Sequence, residues 1–177
     1  MHLAPLAAIA ALAACVPAPA PLPAPPVVQP APAPAPAPPP VIQQPSYANW
    51  FDAPQTPGNW RYGATAAGSM ARFGGDANTP LLLLSCDRSR RELALLRPGR
   101  ATQPVPVRVL TETAERYLTA SQIEDTNPYL AVSLRATDPL LDAMALTRGR
   151  FAVETAGLPT LYVPAWAEVT RVIEDCR

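Results

Sequence analysis

A mainly β, α+β domain is expected from this sequence: an antiparallel β-sandwich or small open barrel with a short internal helix and a C-terminal helix, preceded by a disordered proline-rich tether. Three observations carry that expectation. From Trp60 to Val163 short apolar or alternating runs recur between turn signals, the pattern of strands with one buried face. Two stretches, one opened by Asp138-Pro139 and one running from Pro164 to Asp175, switch to helical spacing. The first 46 residues contain no Asp, Glu, Lys or Arg and are mostly Ala and Pro, which leaves about 130 residues for one modest folded domain.

Residues 1–14 form a short apolar run ending in the small residues Ala13-Ala14, just ahead of Cys15. A run of that length is too short for a stable membrane-spanning helix and fits the apolar core of a secretory signal. The tetrapeptide Leu12-Ala13-Ala14-Cys15 resembles the lipobox of bacterial lipoproteins. That resemblance implies cleavage before Cys15, lipidation of its sulfur and acylation of the new amino terminus; several acyl chains make a lasting anchor where one does not. Val16 is not an Asp, so resemblance to the sorting pattern implies the outer membrane, with the protein facing the periplasm. Residues 15–46 are then an Ala/Pro tether. Proline fixes φ and removes a donor, so this stretch is expected to be an extended polyproline II spacer, reaching roughly 90 Å at full stretch.

The domain is expected over residues 47–177. Strands are expected near Trp60 to Ala66, Met70 to Phe73, Leu81 to Cys86, Glu92 to Leu96, Val105 to Leu110, Arg116 to Ala120, Tyr129 to Ala136, Arg150 to Glu154 and Thr160 to Val163. Gly68, Gly74-Gly75-Asp76, Pro98-Gly99, Asn127-Pro128 and Gly157-Leu158-Pro159 punctuate them. Leu81 to Leu84 and Leu93 to Leu96 flank a polar Asp87-Arg88-Ser89-Arg90-Arg91 turn, which reads as a buried hairpin. Asp138 followed by Pro139 is a cap-and-start signal for a helix carrying Leu140, Leu141, Met144 and Leu146, stopped by Arg148-Gly149. In the last helix Trp166, Val169, Val172 or Ile173, and Cys176 recur on one side, so it is expected to dock on the sheet.

With Cys15 assigned to lipid, Cys86 and Cys176 remain. Export places them where thiols oxidise, and each ends an expected element, so a Cys86–Cys176 disulfide is the favoured reading over two separate buried thiols.

An early Trp60, an apolar strand ending in Cys86, the RRELALLRPG strand, the DPLLDAMAL helix and the final Trp166 to Cys176 helix together resemble proline-rich bacterial lipoproteins. In layout they are more distantly similar to secreted β domains of the invasion-associated locus B type. The resemblance implies a β-rich envelope domain and lends no catalytic residue.

The available chemistry is narrow. The only histidine is His2, inside the signal, which excludes Ser-His-Asp and Cys-His catalysis and histidine-ligated zinc within this chain once the signal is removed. Gly74-Gly75 lacks the Lys and helix of a phosphate loop. All 14 basic residues are Arg, balanced by 14 acidic ones, so no net field draws in nucleic acid. No cofactor or metal is expected. Carboxylates are what an enzyme would have left: Glu124-Asp125, read here as a solvated turn, and Asp138 with Asp142, the first of which is already a cap. A hydrolase or glycan-modifying enzyme built on them is therefore the alternative reading. The candidate binding residues are Arg88, Arg90 and Arg91, whose guanidinium forks suit carboxylates or phosphates, and the aromatics Trp50, Trp60 and Tyr62, which suit sugar rings or proline-rich peptides. The bland readings are a solvated turn and a cap over the edge of the core. The function expected is a membrane-tethered envelope lipoprotein with a non-catalytic binding or structural domain, its partners the membrane through the anchor and a protein or cell-wall component.

Overall fold

A computed structural model describes residues 47, 49–76, 78–123 and 127–177. The expected signal, Cys15 and the tether lie outside these residues, as does Glu124-Asp125. After a 3-10 turn at Trp50–Asp52 come β1 (Asn59–Ala64), β2 (Gly68–Gly74), β3 (Leu82–Asp87), β4 (Glu92–Pro98), β5 (Val105–Leu110), β6 (Glu115–Ile123) and β7 (Tyr129–Arg135). Helix α1 (Pro139–Leu146), β8 (Arg150–Thr155), β9 (Leu161–Pro164) and α2 (Ala167–Asp175) complete the domain. Each of the nine expected strands forms, and so do both helices.

The strands make one antiparallel sheet in the order β1-β2-β3-β4-β7-β6-β5-β8-β9, curled into a half-barrel. Of the two architectures expected, this is the small open barrel. The curl is centred on β6, which changes partner along its length: Glu115 to Ala120 pair with β5, whereas Ser121 to Ile123 pair with β7. One strand thus belongs to both halves and turns the corner between them. The free edges are brought together too. Thr56, just ahead of β1, donates its N–H to the Tyr162 carbonyl of β9 at 2.9 Å, and the Tyr162 N–H returns to Thr56 Oγ1 at 2.9 Å. These bonds satisfy groups that an open edge leaves available for pairing with another chain.

Alternation places Ala71 and Phe73 of β2, Leu82 and Leu84 of β3, Leu93 and Leu95 of β4, and Val107 and Val109 of β5 in one buried core. Leu140, Leu141 and Met144 from α1 and Val169, Val172 and Ile173 from α2 join it. Asp138 caps α1 as the sequence implies, accepting from the Leu140 N–H at 2.9 Å with Pro139 at the first helical position. Both helices gather at the end where β4 starts, because Glu92 pairs with Arg135 just before α1 and Cys176 lies against β3. Among the described residues, no helix lies at the opposite end of β4, at Arg97 and Pro98.

Two expectations are corrected. Leu146, read with Leu140, Leu141 and Met144 as the apolar side of α1, is exposed at the helix's last position, so that side ends at Met144. Trp166 is not part of the buried stripe of the last helix; it is the residue ahead of the first turn, in extended backbone and 42% exposed. The apolar face of α2 therefore begins at Val169. Pro164 is also taken by β9, which leaves too few residues for the helix to start where the spacing suggested.

Candidate functional site

The basic turn between β3 and β4 closes with Arg91 in the left-handed region, at φ 52°. Asp87 organises it, accepting from the Ser89 hydroxyl at 2.7 Å and the Arg90 N–H at 3.1 Å, and these bonds hold its carboxyl below the usual range. The arginines then part company. Arg88 Nε donates to the Asp175 carbonyl at 3.2 Å and Arg91 Nη2 to the main-chain oxygen of Arg177 at 2.9 Å. Helix α2 has no basic residue in its last turn, so the hairpin supplies the positive charge its C-terminal carbonyls favour. Arg90 points away, pairing with Glu92 at 3.3 Å.

The aromatics do not form one stripe. Trp50 stacks on Phe51 with ring centroids 3.9 Å apart, and Arg150 of β8 holds that segment, donating through Nη2 to the Phe51 carbonyl at 2.8 Å and through Nη1 to the Ala53 carbonyl. Trp60 is a core residue, 5% exposed, packed on Phe73 and donating its indole N–H to the Pro164 carbonyl at 2.7 Å. Tyr62 reaches α2: its hydroxyl donates to Asp175 Oδ2 at 2.6 Å, and the Arg171 guanidinium lies 3.9 Å over its ring. Cys86 and Cys176 face each other with Cα atoms 5.5 Å apart, a geometry compatible with a disulfide. Among the carboxylates, Asp138 meets Arg116 at 3.4 Å besides capping α1, and Asp142 pairs with Arg177.

A concave site lies where no sequence signal was read. At the helix-free end of the half-barrel a groove of about 590 Å³ runs between the segment 54–57, the loop before β3, the end of β4 and the turn leading into β9. Its walls are mostly apolar: proline rings, Leu81, Leu158, and Tyr162 with Tyr47 set edge-on to it at 6.3 Å. Barrel mouths of this size commonly take small ligands. Among the described residues, Arg97 is the one charged residue in the lining.

Arg97 follows Leu93 and Leu95 in the alternation of β4, so its side chain enters the interior, where it is 5% exposed. Nη2 donates to the Pro159 carbonyl at 3.1 Å, while Nε and Nη1 are buried and have no partner among the described residues. Burial pushes the guanidinium down to about 10, so it stays charged at neutral pH. A buried cation with two idle donors and no facing carboxylate among the described residues is costly, and functional sites are where such groups persist.

Fold and groove together define a curled β half-barrel with a charged floor at its open mouth. No family model, curated protein or solved structure matches the chain. Among the described residues no group of three or more His, Cys, Asp or Glu is placed to hold a metal ion, and no helix is long and apolar enough to cross a membrane.

Proposed function

We propose that the chain is a lipid-anchored envelope protein whose β half-barrel is a non-catalytic binding module, with the groove over Arg97 as its binding site. The observation that carries the binding half is that groove: an apolar concavity of about 590 Å³ floored by a buried guanidinium with unused donors. The tethering half rests on Leu12-Ala13-Ala14-Cys15 and the Ala/Pro stretch after it. The compatible Cys86–Cys176 geometry supports it further, since an oxidised pair belongs to an exported domain. On this reading the tether holds the domain off the membrane, and the partner is an envelope component that presents itself to the groove.

Intact mass of the protein extracted from membranes tests the tether. The expected mass begins at Cys15 with added acyl groups, with two further thiols alkylated only after reduction. A chain that retains Met1, or that carries free thiols without reduction, overturns the envelope reading. Crosslinking in cells from a photoreactive residue at Leu81, on the groove's lip, is expected to trap an envelope component; recovery of uncrosslinked protein alone overturns a macromolecular partner at the groove.

A further inference from the structure

We infer that the groove takes a small monocarboxylate with an apolar body, its carboxylate paired with Arg97 and its body laid between Leu81, Leu158 and Tyr162. This rests on the binding reading above and names the class of ligand. Arg97 brings one positive charge to a lining that otherwise has none. A single buried cation is balanced by a single negative charge, whereas a phosphate dianion would carry an uncompensated charge into a low-dielectric floor.

The donors favour the same class. Nε and Nη1 lack partners and are sealed from solvent, so bulk water does not satisfy them when the groove is empty. A guanidinium fork matches a planar carboxylate with two parallel bonds. Such a fork pairs Nη2 with one of the two idle donors, so the side chain turns its fork to the groove and exchanges the neutral bond to the Pro159 carbonyl for a charge-assisted pair. The remaining walls reward an apolar body: Leu81 is 38% exposed on the lip although it continues a run of buried leucines, and the Tyr47 and Tyr162 rings stand nearby.

The test compares 4-phenylbutyrate with its neutral amide and with phenyl phosphate by titration calorimetry, using the full chain carrying Cys15→Ser so that no detergent competes for the groove. The acid is expected to bind once per chain. The amide is expected to bind about tenfold more weakly or worse, as is the acid on Arg97→Met, since a hydrogen bond to a charged group is lost. Phenyl phosphate is expected to bind no better than the amide. Equal affinity for acid and amide overturns the carboxylate pairing while leaving an apolar binding groove. Tighter binding of phenyl phosphate overturns the choice of a monoanion. Binding of neither probe overturns a small-ligand groove, and crosslinking from Leu81 then decides separately whether a macromolecule docks there. The acid–amide comparison needs only the Cys15→Ser chain, so the proposal stays testable even if Arg97→Met fails to fold.

Discussion

Gly68 is packed so closely against β3 that a Cβ built on it would lie 2.6 Å from the Cys86 carbonyl oxygen. That oxygen belongs to a strand fixed on both sides, so it has little room to give. Gly68→Ala is therefore expected to destabilise the domain by about 1 to 3 kcal/mol, read as a lowered urea midpoint with unchanged slope. Asp138→Ala removes a cap bond and is expected to cost about 1 kcal/mol in the same assay. Arg97 has the opposite sign: its charge is buried with two donors unused, so Arg97→Met is expected to raise the stability of the empty protein by about 1 kcal/mol or more. A lowered melting temperature for that variant would mean that the guanidinium supports the fold. Opposite effects of one substitution on stability and on ligand binding are the signature of a residue kept for function. Arg97 was legible in principle. Leu93 and Leu95 set a parity that puts position 97 on the inner face, but reading the strand as ending at Leu96 stops one residue short. Trp60 shows the reverse case, an aromatic that sequence can nominate for binding and whose indole is in fact used to tie β1 to the end of β9.

At the scale of elements, α2 is the piece whose attachment is most specific. Its apolar face is short, Val169, Val172 and Ile173; its last carbonyl, that of Asp175, is met from outside by Arg88, and Arg91 bonds the main-chain oxygen of Arg177 just beyond it. The Tyr62 hydroxyl bonds Asp175, with Arg171 and Arg88 nearby, and these groups hold its carboxyl below the usual range. A carboxylate depressed in the folded state contributes stability above its unfolded pKa near 3.8, and that contribution is lost as pH falls through the lower folded value. Protection of the α2 amides from hydrogen exchange is therefore expected to drop on acidification below about pH 4, and less so in Tyr62→Phe, where the first of those bonds is already gone. An equal pH dependence in both proteins would count against the Tyr62–Asp175 bond as the docking contact. The elements themselves were largely legible in sequence, because period-2 burial and Gly or Pro punctuation are local signals. The pairing order was not. β4 beside β7 and β5 beside β8 join segments far apart in the chain, and nothing in either segment encodes its neighbour. The same gap hid the groove, since its walls come from five separate stretches that meet only after the sheet has curled.

For the whole molecule the question is how a half-barrel keeps its two ends distinct, one filled by helices and one left open. The Cys86–Cys176 pair spans 90 residues and lies at the filled end, placed so that a disulfide would join β3 to the C-cap of α2. Closing a loop of that size lowers the entropy of the unfolded chain and is worth about 4 to 5 kcal/mol. Much of that acts on the unfolded state, so reduction need not release α2 from the native one. Helix α2 also keeps its buried face, the Tyr62 hydroxyl, and the two arginines from the hairpin. Reduced protein is accordingly expected to melt in one transition at a lower temperature, with near-native circular dichroism below it. Two transitions, the first removing helical signal, would mean that the covalent link alone holds the helix. The open end predicts a different response. Arg97 and the groove lie at the far end of β4 from the disulfide, so the affinity for 4-phenylbutyrate measured on oxidised and reduced protein should agree within about twofold, as expected of sites without shared partners. A loss of binding on reduction would couple the two ends, making the half-barrel's curl, which β6 carries from one half-sheet to the other, the element through which the staple shapes the mouth.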